Sequence, residues 1–189
     1  MSLLIRISLV LLTSLLPFSN GWAGKYEDTI KVFSNAGESG DFFEKSYGYA
    51  VFPTIAKAGM GIGGAHGKGR VYEQGKYVGD TSMTQVTIGL QLGGQAYSQI
   101  IFFQDERAFK EFTSGNFEFG AQATAVAITA GASANASTAG SSAGASGGKN
   151  DANTVGSYNK GMAVFTVAKG GLMYEASIGG QKYEYTPKN

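Results

Sequence analysis

The 189-residue chain has no cysteine, one histidine, three prolines and one tryptophan, and only 15% of its residues are charged. Without cysteine there is no disulfide framework, no thiol nucleophile, no zinc–thiolate site and no thiol for N-terminal lipidation. One histidine leaves no His-rich metal site and no mechanism that needs a pair of imidazoles. Composition thus argues against most familiar enzyme chemistry. A hydrophobic content of 43% excludes wholesale disorder, and the length suits one domain able to bury a core.

The first 23 residues read as an address. Arg6 is the only charge among Leu3, Leu4, Ile5, Leu9, Val10, Leu11, Leu12, Leu15 and Leu16; Pro17 breaks the run, and Gly21-Trp22-Ala23 supplies small residues two apart. A positive start, an apolar centre and a small-x-small end predict a secretory peptide (residues 1–23) cleaved after Ala23. The alternative is an uncleaved anchor, for which the apolar run is short against a span of about 20 residues. Removal takes away Arg6 and brings a net charge of +1 to zero. A neutral exported chain gives no electrostatic reason to expect nucleic acid as a partner.

Tyr26, Ile30 and Phe33 fall on one helical face within Lys25–Ala36. Asn35–Gly40 reads as a break and Asp41–Lys45 as another helical turn. Tyr49–Pro53 favours a strand, with Pro53 at its edge or end. Lys57–Lys76 is dense in glycine, which lets a strand lie close to another backbone or bend sharply, and Val71–Val78 resembles two strands around a Gln-Gly turn. Val86, Ile88, Leu90 and Leu92 alternate with Thr87, Gly89 and Gln91, and Gln99–Phe103 suits a strand covered on both faces. Asp105–Ser114 predicts a helix capped by Asp105, with Ala108, Phe109 and Phe112 inward and Glu106/Lys110 and Arg107/Glu111 as surface pairs. The β pattern resumes at Asn116, and Gly161–Val167 and Met173–Tyr185 read as the last strands. The Gly/Ala/Ser-rich stretch at 131–150 reads as a mobile loop. The sum is an α+β fold with about seven to nine mostly antiparallel strands in a curved sheet or small barrel.

Candidate chemistry is thin. Gly59, Gly61 and Gly64 satisfy G-x-G-x-x-G, yet the residues after Gly64 are poor helix formers, and the motif needs a helix N-terminus for the pyrophosphate. His66 has no nucleophile motif beside it, and a histidine among glycines is most simply an exposed one. Glu27, Asp28, Asp105, Glu106 and Glu111 fall on predicted helix surfaces. The useful asymmetry is Lys57, Lys68, Arg70 and Lys76 against Glu73, a net charge of +3 over residues 57–76, with Tyr72 and Tyr77 interleaved. Basic side chains attract anionic headgroups and tyrosine suits the interface; the alternative is a solvated hairpin. Residues 25–45 carry three Lys against five acids and are less suited to anionic lipid.

Tyr49-Ala50-Val51-Phe52-Pro53 followed by Lys57–Gly69 resembles the opening of the SYLF (Ysc84-type) domain. Gly89-Leu90-Gln91-Leu92-Gly93-Gly94-Gln95 resembles its G-L-Q-x-G-x-Q element, and Phe117–Ala123 and Gly161–Phe165 its later landmarks. The likeness runs from about Tyr26 to Tyr185. Asp80–Thr84 stands where such domains usually carry a Trp-Ser-x-Pro-like segment, and the lipobox cysteine of some bacterial members is absent. The resemblance implies binding of anionic phospholipids and phosphoinositides; eukaryotic members also bind actin, which an exported chain of bacterial type would not meet.

The expectation is therefore a single SYLF-type domain over 24–189, exported to the periplasm or envelope, without catalytic residues, cofactor or metal. Its expected partners are anionic phospholipids or a membrane surface, with a protein partner as a further possibility and no nucleic acid. The candidate lipid-binding residues are Lys57, Lys68, Arg70, Tyr72, Lys76 and Tyr77. The runner-up is a small outer-membrane β-barrel, which glycine-rich and tyrosine-rich strands with few charges would fit.

Overall fold

The computed structural model describes residues 20–128, 158–169 and 177–189. The Gly/Ala/Ser-rich stretch at 131–150, most of the expected leader and residues 173–176 of the expected last strand lie outside these. The elements are α1 (Asn20–Ser34), α2 (Gly37–Gly40), α3 (Phe42–Lys45), β1 (Gly48–Glu73), β2 (Lys76–Phe103), α4 (Glu106–Phe112), β3 (Phe117–Glu118), β4 (Val126–Ile128), β5 (Met162–Lys169) and β6 (Lys182–Pro187). The strands form one sheet in the order β3-β6-β2-β5-β4, with β1 paired to β2. All pairings are antiparallel except β4 with β5, so the fold is α+β with a curled, half-barrel sheet.

Two very long strands replace several short ones. β1 has 26 residues and β2 has 28. Their ladder continues through bends because bulges absorb the curvature. Pro53 accordingly lies inside β1, not at its end: the register shifts between Phe52 and Ile55, and the Ser98 hydroxyl donates to the Pro53 carbonyl at 2.8 Å. The hairpin turn is the one the sequence indicates. Gln74 (φ 47°) and Gly75 (φ 78°) both occupy the left-handed region that a tight two-residue turn requires.

The hairpin is folded over on itself. The register steps from Gly59↔Gly93 to Gly61↔Gly89, so Met60 alone faces Leu90, Gln91 and Leu92, and a Cβ on Gly59 would collide with the Gly63 backbone. Beyond this corner the two halves of β1 close together. A Cβ on Gly67 would sit 2.6 Å from the Ile55 side chain, and one on Gly69 2.7 Å from the Phe52 ring. At the open end Gln74 N–H donates to the Tyr47 carbonyl at 3.0 Å. Small residues on alternate positions are what permit this approach.

The concave side holds Phe52, Ile55, Val71, Met83, Ile101, Phe103 and Tyr183, closed at one end by Phe109 and Phe112 of α4. Asp105 caps α4 as expected, accepting from Ala108 N–H at 2.8 Å. The convex side carries Val51, Ile100, Phe102 and Phe165, covered by Tyr26 and Phe33 of α1, Ala36 just before α2 and Phe42 of α3. The expected inward face of α1 is observed, while the expected break at Asn35–Gly40 holds the single turn α2. The barrel reading fails here: its outer wall would have to face lipid, and this one packs under helices. Among the described residues, no helix is long and apolar enough to cross a membrane. The last strand begins at Lys182, since Ile178 to Gln181 form a turn.

Candidate functional site

The second half of β1 alternates strictly. Ala65, Gly67, Gly69 and Val71 are buried, whereas Ile62, Gly64, His66, Lys68 and Arg70 face outward. Opposite them on β2 lie Ile88, Val86, Thr84, Ser82 and Asp80. This outward stripe has three zones.

At the turn end Arg70 is enclosed by rings. Its guanidinium carbon lies 4.4 Å from the Tyr26 ring centre and 4.8 Å from that of Tyr77, while Lys188 Nζ sits 4.9 Å from Tyr77. Asp80 reaches Arg70 only at 4.0 Å, and Arg70 keeps 26% of its side-chain surface exposed. Tyr72 stacks on Tyr49 at 4.9 Å and tilts against Tyr77. Burial raises the pKa of Tyr26 and of Tyr72, opposed in each by Arg70, and pushes Tyr49 up to about 12. The Tyr77 value is raised by burial and by its hydrogen bond to Asp80. These phenols are neutral donors at ordinary pH, so Arg70 serves chiefly to anchor α1 to the sheet.

The middle zone holds Lys68 and His66, both exposed; among the described residues Lys68 belongs to no ion pair. The third zone is apolar: Ile62 is 72% and Val86 76% exposed. Val86 is uncovered because its cross-strand partner is Gly64, which has no side chain. From Gly48 to Tyr72 and from Thr81 to Phe103 neither strand carries an Asp or Glu.

Of the six residues singled out by sequence, Arg70, Tyr72 and Tyr77 come together, and Lys68 stands beside them. Lys57 does not join them. It is partly buried, pairs across to Gln95 and shares the side of Ile55, about 40 Å of strand contour from Arg70. Lys76 is exposed at the turn, opposite Glu73. Glu73 also accepts from the Tyr47 hydroxyl at 2.5 Å, which pushes that phenol up to about 12.

Gly59, Gly61 and Gly64 lie inside β1, which continues to Glu73, so no helix N-terminus follows the glycine motif and the dinucleotide reading has no structural basis.

Sequence reasoning missed three things. Tyr26 is legible as a core-facing helix residue, but not as the lid on Arg70. Lys188 gives no signal. The concave side also contains a polar network: Gln99 Nε2 donates to Gln181 Oε1 (3.0 Å) and to the Tyr183 hydroxyl (2.7 Å), Gln181 Nε2 donates to the Tyr97 hydroxyl (3.1 Å), and Gln85 Nε2 donates to the Gly179 carbonyl (2.9 Å). Gln99 at the head of an apolar run was the available clue, since a polar group there must be paired inside. The network ties β6 and the turn before it to β2.

A family model described as Ysc84, Las17-binding protein actin regulator, matches residues 84–185, from the second half of β2 to β6. The Tyr49–Gly69 motifs precede that range. No curated protein matches the chain.

Proposed function

This chain belongs to the Ysc84 family, and on that premise we propose that it is an exported, non-enzymatic lipid-binding domain, residues 24–189, that recognises anionic phospholipid headgroups at the cell envelope. The observation that carries the reading is the carboxylate-free hairpin. Two strands expose Lys68 and His66 on their outward face and hold Lys57 near the corner on the opposite side, with no Asp or Glu along Gly48–Tyr72 or Thr81–Phe103. An anionic surface approaching that face meets Lys68, with Asp80 the first carboxylate further along the stripe, at about 1 kcal/mol per basic side chain close to a charged bilayer. Arg70 contributes less than a free arginine, because two rings occupy its faces and Asp80 lies at its edge.

Co-sedimentation with vesicles of phosphatidylcholine alone, and with added phosphatidylglycerol, tests this across a salt series. Binding only to the anionic vesicles, weakening with salt and weakened further by Lys57→Gln with Lys68→Gln, is the expected result. Binding unchanged by those substitutions removes the site assignment. A folded protein that ignores both vesicle types removes the lipid reading. It would favour a protein partner, the role that the family's own description names.

A further inference from the structure

The folded-over corner of the hairpin presents a combination found nowhere else among the described residues. Ile62 and Val86 stand on its convex face at 72% and 76% exposure, and the remaining large apolar side chain with notable exposure, Val32, reaches only 41% and lies on α1. The two are diagonal neighbours across the ladder, separated by the bare Gly64 position, so they form one apolar patch. On the same outward stripe His66 and then Lys68 follow at two-residue steps towards the helices.

An apolar tip followed by Lys68, with no carboxylate until Asp80 near the turn, repeats over one face the polarity profile of a bilayer from acyl chain to anionic headgroup. At the patch β1 and β2 pair only with each other among the described residues, so the outer edges of this two-stranded ribbon keep their amides unpaired; insertion is therefore by the side chains, with the backbone at the headgroup level. A protein partner could cover Ile62 and Val86 as well, but would have no reason to exclude Asp and Glu from Gly48–Tyr72 and Thr81–Phe103 around them.

We infer that this corner inserts into the bilayer, Ile62 and Val86 entering the acyl region while Lys68 stays at the phosphate level. The inference rests on the lipid-binding reading above and adds a depth and an orientation to it. The protein docks by a β corner, with α1–α3 held away from the insertion point.

The test uses the full chain with vesicles of phosphatidylcholine and phosphatidylglycerol. Ile62→Ser with Val86→Ser should weaken binding by about tenfold per residue while leaving its salt dependence as in the parent, because the cations remain. Both side chains are exposed, so the fold should survive, and circular dichroism checks that it does. As an independent readout, Ile62→Trp in a Trp22→Phe background should show blue-shifted emission on binding and quenching by lipids brominated along the acyl chain. Undiminished binding of the double serine variant, or a bound Trp at 62 that brominated chains do not quench, overturns the insertion and leaves headgroup recognition standing. Parent protein that binds no vesicle overturns both.

Discussion

Gly64 and Gly69 differ in which face of the same strand they occupy, and replacing each with alanine should move stability in opposite directions. At Gly69 the new Cβ would lie 2.7 Å from two carbons of the Phe52 ring and 2.9 Å from the Val51 carbonyl oxygen. Ordinary carbon contacts are about 3.5–4 Å, so the ring must retreat by roughly 1 Å. Phe52 is fully buried and packs edge-on against Tyr183 at 5.6 Å, which leaves it little room. Overpacking of this kind costs about 1–3 kcal/mol. Alanine also narrows the unfolded ensemble, which returns about 0.4–1 kcal/mol. The balance is a loss of about 1–2 kcal/mol, or a Tm lower by roughly 2–8 °C for a chain of this size. At Gly64 the nearest atom is the Gln85 carbonyl oxygen at 3.6 Å, an ordinary contact, so only the entropic gain applies. Gly64→Ala should raise Tm by roughly 1–4 °C. Thermal unfolding followed by circular dichroism reads both, and Phe52→Leu should relieve the Gly69→Ala defect non-additively. Equal melting of the two alanine variants, or a Gly69→Ala protein more stable than its parent, would mean that the halves of β1 do not close as described.

Three further outcomes follow from the packing. Burial pushes Tyr49 and Tyr97 up to about 12 and Tyr183 well above its ordinary 10. A raised folded-state value means that the native state holds a proton the unfolded chain releases, so stability is complete below about pH 10 and lost as pH rises towards 12. Tyrosinate absorbance should rise for these groups together with loss of circular dichroism, and Tyr97→Phe should move that transition upward; ionisation near pH 10 with the fold intact would contradict their burial. Arg70→Ala removes the cation between Tyr26 and Tyr77, each contact worth about 0.5–1 kcal/mol, and should speed amide exchange in α1 while leaving α4 unchanged; uniform exchange across both helices would refute the anchoring role. Asp105→Ala should cost about 1 kcal/mol in urea unfolding through loss of the bond from Ala108 N–H, and a neutral result would show that α4 is held by Phe109 and Phe112 alone.

What the chain determines locally is legible in it. The Tyr26/Ile30/Phe33 face of α1, the Asp105 cap with the Ala108, Phe109 and Phe112 stripe, and the Gln74-Gly75 turn each depend on neighbours a few residues away. The motifs at Gly89–Gln95, Phe117–Ala123 and Gly161–Phe165 lie within the range that the family model matches, and Tyr49–Pro53 precedes it. The candidate site was half visible: local charge singles out Lys68 and Arg70, but cannot say that Arg70 spends its faces on two tyrosines, one of them 44 positions earlier in the sequence.

The tertiary structure decided what alternation alone cannot. The bulge between Phe52 and Ile55 resets the strand's parity, so counting by twos from Ala50 and Phe52 loses the inward face. That places Lys57 on the side of Ile55 and away from Lys68. It also separates the glycines that must be glycine, Gly67 and Gly69 against Ile55 and Phe52, from Gly64, which faces outward. Val86 reads as core in a run of alternating apolar residues, and is exposed because a glycine lies across from it. The reason is common to all of these: side-chain burial in a sheet is set by the register and curvature of two strands together, and neither is a property of either strand alone.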